Sequence, residues 1–160
     1  MSLTFALSLS LAVAAGSGPS RADALSTKDL GRVKLKVPSV WKSTLEEGTR
    51  KFEAPSHDAS FSLDAFPWEG DPISGEACRD KLTAALGGQR TWEKLTIGGA
   101  AAAHSVVTDR LEDGKTQTET HTWVGCDGRT KWVLTFSYTT SKKERFAPLA
   151  ERVAKSLIYK

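Results

Sequence analysis

The chain has 160 residues, of which 39% are hydrophobic and 26% charged, and its formal net charge is +3. That length suits one domain with its own core, and that composition excludes a disordered chain and a polytopic membrane protein. Basic and acidic residues interleave, as in Lys42/Glu46/Glu47/Arg50/Lys51 and Lys142/Lys143/Glu144/Arg145, so the one-sign stripe of a nucleic-acid binder is missing.

Leu3 to Ala15 is an uncharged apolar run, too short to span a bilayer but the right length for the core of a secretory leader. Ser17-Gly18-Pro19-Ser20 breaks it, and Ala22-Asp23-Ala24 follows as a small-x-small cleavage site. The expectation is a signal peptide over residues 1–24 and one domain over 25–160. The product would be exported, periplasmic or extracellular, with no membrane span in the mature chain. The sequence contains no asparagine, hence no N-glycosylation acceptor.

Val33, Leu35 and Val37 alternate with lysines, the period of a half-buried strand. Short strands are expected at Ser43–Glu46 and Arg50–Glu53, then a longer one at Ser60–Phe66. Pro67–Pro72 reads as loop. A helix follows, beginning near Asp71-Pro72 with Ser74 as another candidate N-cap, and with Cys78, Leu82, Ala85 and Leu86 on one face. Gly87-Gly88 ends it. Strands at Thr91–Ile97 and Ala101–Leu111 turn at Gly98-Gly99, the second with Val106 or Val107 facing inward. Asp113-Gly114 signals a hairpin into Gln117–Val124, and Asp127-Gly128 another into Thr130–Tyr138. Taken as a two-residue turn, Asp127-Gly128 sets Trp123 opposite Trp132. Ser141 and Glu144 have capping-box spacing, and Phe146, Leu149, Ala150, Val153 and Leu157 form the apolar stripe of a last helix. Hairpin connections imply an antiparallel sheet, and two amphipathic helices must cover it.

Several of these features occur together in a known group. A strand ends in Pro-x-x-Trp at Pro38–Trp41. A helix, a Gly-Gly-Ala turn near Gly98–Ala101, a long polar hairpin and the aromatic strand Trp132–Tyr138 follow. The chain closes on a helix ending Ala154-Lys155-Ser156-Leu157. The pattern resembles the PsbP-like superfamily over roughly Gly31 to Tyr159. That resemblance implies an α+β fold, an antiparallel sheet flanked by helices in an α/β/α sandwich. The fold is shared with a Ran-binding nuclear import factor and DcrB-type bacterial envelope proteins. It implies accessory or binding roles and supplies no site residue.

Chemistry is sparse. The chain has two cysteines, Cys78 and Cys126, and an even count in an exported protein points to a disulfide. His121 is the nearest candidate base to Cys126, but it lies five residues back on a strand and so on the opposite face. His57, His104 and His121 show no zinc-ligand spacing, and there is no G-x-S-x-G, Walker loop or G-x-G-x-x-G. No cofactor and no metal is expected. Five tryptophans are many for this length. Trp68, in the proline-rich loop, is either a plug over the core or an exposed contact. Thr116, Thr118, Thr120 and Thr122 form a polar ladder that reads as a sheet edge able to accept a partner strand. Trp68, Trp41, Thr118 and Thr120 are therefore the candidate binding residues. The reading is a non-enzymatic accessory protein that contacts another protein or an envelope component. The alternatives are a small-molecule or peptide binder with an aromatic-lined cleft and, behind it, a hydrolase-type enzyme.

Overall fold

In a computed structural model, which describes residues 24–88 and 90–160, apolar alternation becomes two antiparallel sheets. Apart from Ala24, the expected leader lies outside the described residues. The described residues form ten strands: β1 (Leu25–Asp29), β2 (Val33–Pro38), β3 (Lys42–Glu46), β4 (Thr49–Glu53), β5 (Ala59–Pro67), β6 (Glu93–Ile97), β7 (Ala100–Arg110), β8 (Gln117–Cys126), β9 (Thr130–Thr139) and β10 (Ile158–Tyr159). The helices are α1 (Gly75–Leu86) and α2 (Lys143–Lys155). The large sheet has the order β3-β4-β5-β9-β8-β7-β6 and the small one β1-β2-β10. Two meanders thus meet at β5–β9, and α1 carries the chain from β5 to the far edge at β6. No described helix is long and apolar enough to cross a membrane.

The core lies between the large sheet on one side and α2 with the small sheet on the other. Every apolar residue expected on the last helix, Phe146, Leu149, Ala150, Val153 and Leu157, is buried there. Val33, Leu35 and Val37 of β2 close the same core. Trp41 sits in its middle, with its ring centre 5.6 Å from those of both Phe61 and Phe136. Burying such rings contributes roughly 2–3 kcal/mol each.

Several local expectations are corrected. The β8–β9 connection is the three residues Asp127, Gly128 and Arg129, not a two-residue turn. Asp127 Oδ1 accepts from the amides of Arg129 and Thr130, at 2.8 and 2.7 Å, and closes the loop. The register moves to Cys126↔Lys131, so Trp123 faces Leu134 and Trp132 faces Gly125. Ser141 belongs to a 3-10 turn (Thr140–Lys142), and α2 starts one residue later with no side-chain cap. On β7 neither valine is buried; Val106 is 44% exposed. α1 starts at Gly75, not near Asp71-Pro72, and Ser74 caps it, accepting from the Ala77 amide at 3.2 Å.

The new register explains Gly125. A β-carbon there would lie 2.3 Å from the Trp132 indole, which is pinned by a 2.6 Å bond from its Nε1 to the Tyr159 hydroxyl. Backbone conformation is not the reason; space is. Gly125→Ala should cost about 2–3 kcal/mol through overpacking, measured by urea unfolding. An unchanged midpoint would show that the indole moves aside freely.

Candidate binding face and the buried polar network

The two faces of the large sheet differ. Along β9 burial alternates strictly: Trp132, Leu134, Phe136 and Tyr138 are buried in the core, while Lys131, Val133, Thr135 and Ser137 on the other face are half-buried. Among the described residues only α1 covers that second face, and it lies over β7 and β8. Its anchor is the bridge between Cys78 and Cys126, whose α-carbons are 5.9 Å apart. Thr122, Val124 and Cys126 are buried near α1, whereas Thr118 and Thr120, farther along β8, are half-buried. On β5, Ser60, Ser62 and Asp64 continue the same face, opposite Ser137, Thr135 and Val133. The result is a half-open shelf of hydroxyl groups. Asp64 Oδ1, though buried, has no hydrogen-bond partner among the described residues.

Trp68 stands at one end of this shelf. Its amide donates to Arg129 O at 2.7 Å and its indole Nε1 to Asp71 O at 3.0 Å. Lys81 of α1 and Lys131 of β9 bring their ammonium groups to 5.5 and 5.7 Å from the ring centre. Such cation–π contacts contribute about 0.5–1 kcal/mol each where water screens them. The half-buried Trp68 is therefore a fixed aromatic edge flanked by two cations. At the other end of the shelf lies a cleft of about 200 Å³, lined by Lys51, Glu53, His57, Ser60, Thr118 and Ser137.

The structure separates the four candidate binding residues. Trp68, Thr118 and Thr120 share the open face, with Thr120 hydrogen-bonded to Ser137 at 2.9 Å. Trp41 does not join them; it is buried because Pro38 turns it inward beneath α2. Nor is the threonine strand an edge. β8 is interior, between β9 and β7, and the large sheet's edges are β3 and β6. The ladder looked two-sidedly polar because its other face holds a polar network buried by the fold.

That network was missed in the sequence. Glu119 and His121 of β8, Tyr138 of β9, His104 of β7 and Lys143 of α2 converge on the core side of the sheet. Glu119 Oε1 accepts from the Tyr138 hydroxyl and lies 3.0 Å from His121 Nε2. Its Oε2 accepts from Lys143 Nζ at 2.7 Å. His121 Nδ1 lies 3.0 Å from His104 Nε2, and His104 stacks on Trp123 at 4.4 Å. One proton assignment satisfies every contact: Tyr138 donates to Glu119, His121 donates through Nε2, and His104 donates to His121 Nδ1. Burial pushes the Glu119 carboxyl up, but hydrogen bonds from Lys143, Tyr138 and His121 outweigh it and hold the group at about 2. Burial, then the neighbouring His121, lowers His104 below its ordinary value. Burial and the Glu119 carboxylate raise Tyr138. The spacing 104, 119, 121 and 138 carries no sequence signal; only the β7–β8–β9 register assembles it. Among the described residues neither imidazole of the network is bonded to a serine, threonine or cysteine side chain. None of the described His, Cys, Asp and Glu residues forms a group of three or more set to hold a metal ion.

No family model matches the chain, and no curated protein matches it. Solved structures do. A protein of Bacteroides thetaiotaomicron superposes with a TM-score of 0.62 at 22% identity; the match covers 80% of this chain and 45% of that one, so this chain spans less than half its length. The PsbP protein of Synechocystis sp. PCC 6803 gives 0.58 at 14% identity, over 94% of this chain and 99% of that one. LpqN of Mycobacterium tuberculosis, involved in cell envelope biogenesis, gives 0.54 at 14%, over 84% and 90%. At such identities the likeness is one of fold, and the chain has the PsbP-like α+β fold expected from its sequence.

Proposed function

We propose that the protein is an exported, non-enzymatic accessory protein that holds a partner protein of the cell envelope on the open face of its large sheet. The observation that carries this reading is the asymmetry of that sheet. One face is consumed by the core, while half of the other is left to solvent, with hydroxyl groups along it and a fixed, cation-flanked tryptophan at its end. Aromatic residues held rigid at a surface are the usual anchors of protein interfaces. Lys81 and Lys131 select a partner that brings acidic groups beside an apolar contact. The envelope setting draws support from the leader-like N-terminus, the bridge between Cys78 and Cys126 and the fold shared with LpqN.

The test is photo-crosslinking in the native envelope from probes placed at Ser62 and Thr135. One discrete adduct is expected, strongly reduced by Trp68→Ala or Lys131→Glu and unchanged by Lys34→Glu on the small sheet. Adducts that ignore Trp68 and Lys131, or that form equally from a probe on the small sheet, would reject the shelf as the docking face. The exported form should begin at Leu25 by mass spectrometry; a folded exported product that retains Met1 would count against the leader.

A further inference from the structure

A second site lies on the opposite side of the large sheet, at the open end of the core. Three residues stand in a row across the strands: Leu45 of β3, Arg50 of β4 and Leu63 of β5, and the row continues to Leu134 of β9. The pattern calls for an aliphatic residue at position 50. A half-buried arginine stands there instead. Among the described residues Arg50 has neither an ion-pair nor a hydrogen-bond partner. Half-buried beside two leucines and without a protein counter-ion, the guanidinium has its donors available to an anion.

Around Arg50 is a cleft of about 220 Å³. Leu63 and Ala65 form its floor, Leu45 one wall, and Leu30 and Gly31 of the β1–β2 turn the other. Leu45 is 61% exposed, an apolar wall open to solvent. Asp29, the acid on the rim, is already engaged: it accepts from Lys160 Nζ at 2.7 Å and from the Gly31 amide at 3.0 Å. With Asp29 and Lys160 cancelling, the free charge facing the cleft is the single positive one of Arg50.

We infer that this cleft is a binding site for a medium-chain carboxylate, with its alkyl chain against Leu45, Leu63, Ala65 and Leu30 and its carboxylate on Arg50. A planar guanidinium matches a carboxylate through two parallel hydrogen bonds, which a lysine could not reproduce. Size is consistent: an apolar cavity of about 150 Å³ accepts benzene, so this cleft takes a ligand of roughly ten heavy atoms, the size of octanoate. The site is independent of the hydroxyl shelf and of Trp68, which lie on the other face.

Titration of octanoate into the full chain, followed by calorimetry and by amide chemical shifts, tests the assignment. Saturable one-to-one binding is expected, with the shifts centred on Leu45–Leu63 and Leu30–Gly31. Arg50→Gln should weaken it at least tenfold and Arg50→Lys by less, while Trp68→Ala should leave it unchanged. Octylammonium, with the same chain and the opposite charge, should not bind. The Arg50 variants should keep the wild-type unfolding midpoint, since no ion pair or hydrogen bond to a described residue is lost. Equal binding of octanoate by Arg50→Gln, equal binding of octylammonium by the wild type, or no saturable octanoate binding would each overturn the site.

Discussion

Loss of the Cys78–Cys126 bridge will lower the unfolding free energy by about 4 kcal/mol, the chain-entropy value for a sequence separation of 48. The double variant Cys78→Ser/Cys126→Ser, or the reduced wild type, should show this in urea melts. Locally the effect will be larger. Of α1 only Cys78 and Arg79 are buried; Leu82 is half-buried, and Ala85 and Leu86, expected on the same face, are exposed. The helix is therefore held near its first turn, and its second half overhangs. Hydrogen exchange should show α1 losing protection on reduction while β5, β9 and β8 keep theirs. A reduced protein with an unchanged midpoint and a protected α1 would contradict the assignment of the bridge as the helix's main anchor.

Replacement of Glu119 by alanine will cost about 1–3 kcal/mol, the usual penalty when buried donors lose their acceptor. It leaves the buried Tyr138 hydroxyl and His121 imidazole without that acceptor, whereas the exposed Lys143 returns to water. The same network predicts acid sensitivity. His104 is held below its ordinary value of 6.5, so the unfolded chain binds the proton first, and stability declines as pH falls through about 6.5. The charges acting on His104 are those of His121 beside it, Glu151 and Lys155 of α2 and Glu93 of β6. Glu119, ordinarily near 4.5 and held at about 2, adds a second decline between those two values. Its stabilising share is present above 4.5 and lost on the way down to 2. Urea midpoints measured from pH 2 to pH 8 should rise throughout. Glu119→Gln should remove part of the lower rise and keep the upper one, and His104→Gln should do the reverse. A profile flat between pH 5 and 8 would reject the His104 contribution.

Most elements were legible because hydrophobic period and turn chemistry agreed. Ser74, Gly87-Gly88, Gly98-Gly99 and Asp113-Gly114 mark boundaries the structure keeps. The failures have a common physical form: a side chain did something the local pattern could not report. Asp127 captured two amides and lengthened a turn, which moved Trp132 from Trp123 to Gly125. Glu119 and His121 gave β8 the polarity of an edge, although their partners lie on β7, β9 and α2. Pro-x-x-Trp marked Trp41 as a feature but not its direction. β10, two residues long, leaves no periodicity to read. Of the candidate site, Trp68 stood out by its loop and Thr118 and Thr120 by their ladder. The openness of their face depends on α1 covering only half the sheet, a tertiary fact. Arg50 was visible only as one charge in a mixed surface run.

The small sheet closes late in folding. Strand β2 pairs on one side with β1, its neighbour in sequence, and on the other with β10, where Ile158 meets Lys34 and Tyr159 meets Val33. Tyr159 also receives the Trp132 indole hydrogen bond. The first hairpin can form from neighbouring residues alone, but the second edge of β2 stays unpaired until Ile158 and Tyr159 arrive from far along the chain. Contacts so distant along the chain slow folding, because a long loop must close before they form. A chain in which Ile158 and Tyr159 have not yet docked thus carries an open edge on β2, the kind of unpaired edge on which another strand can template.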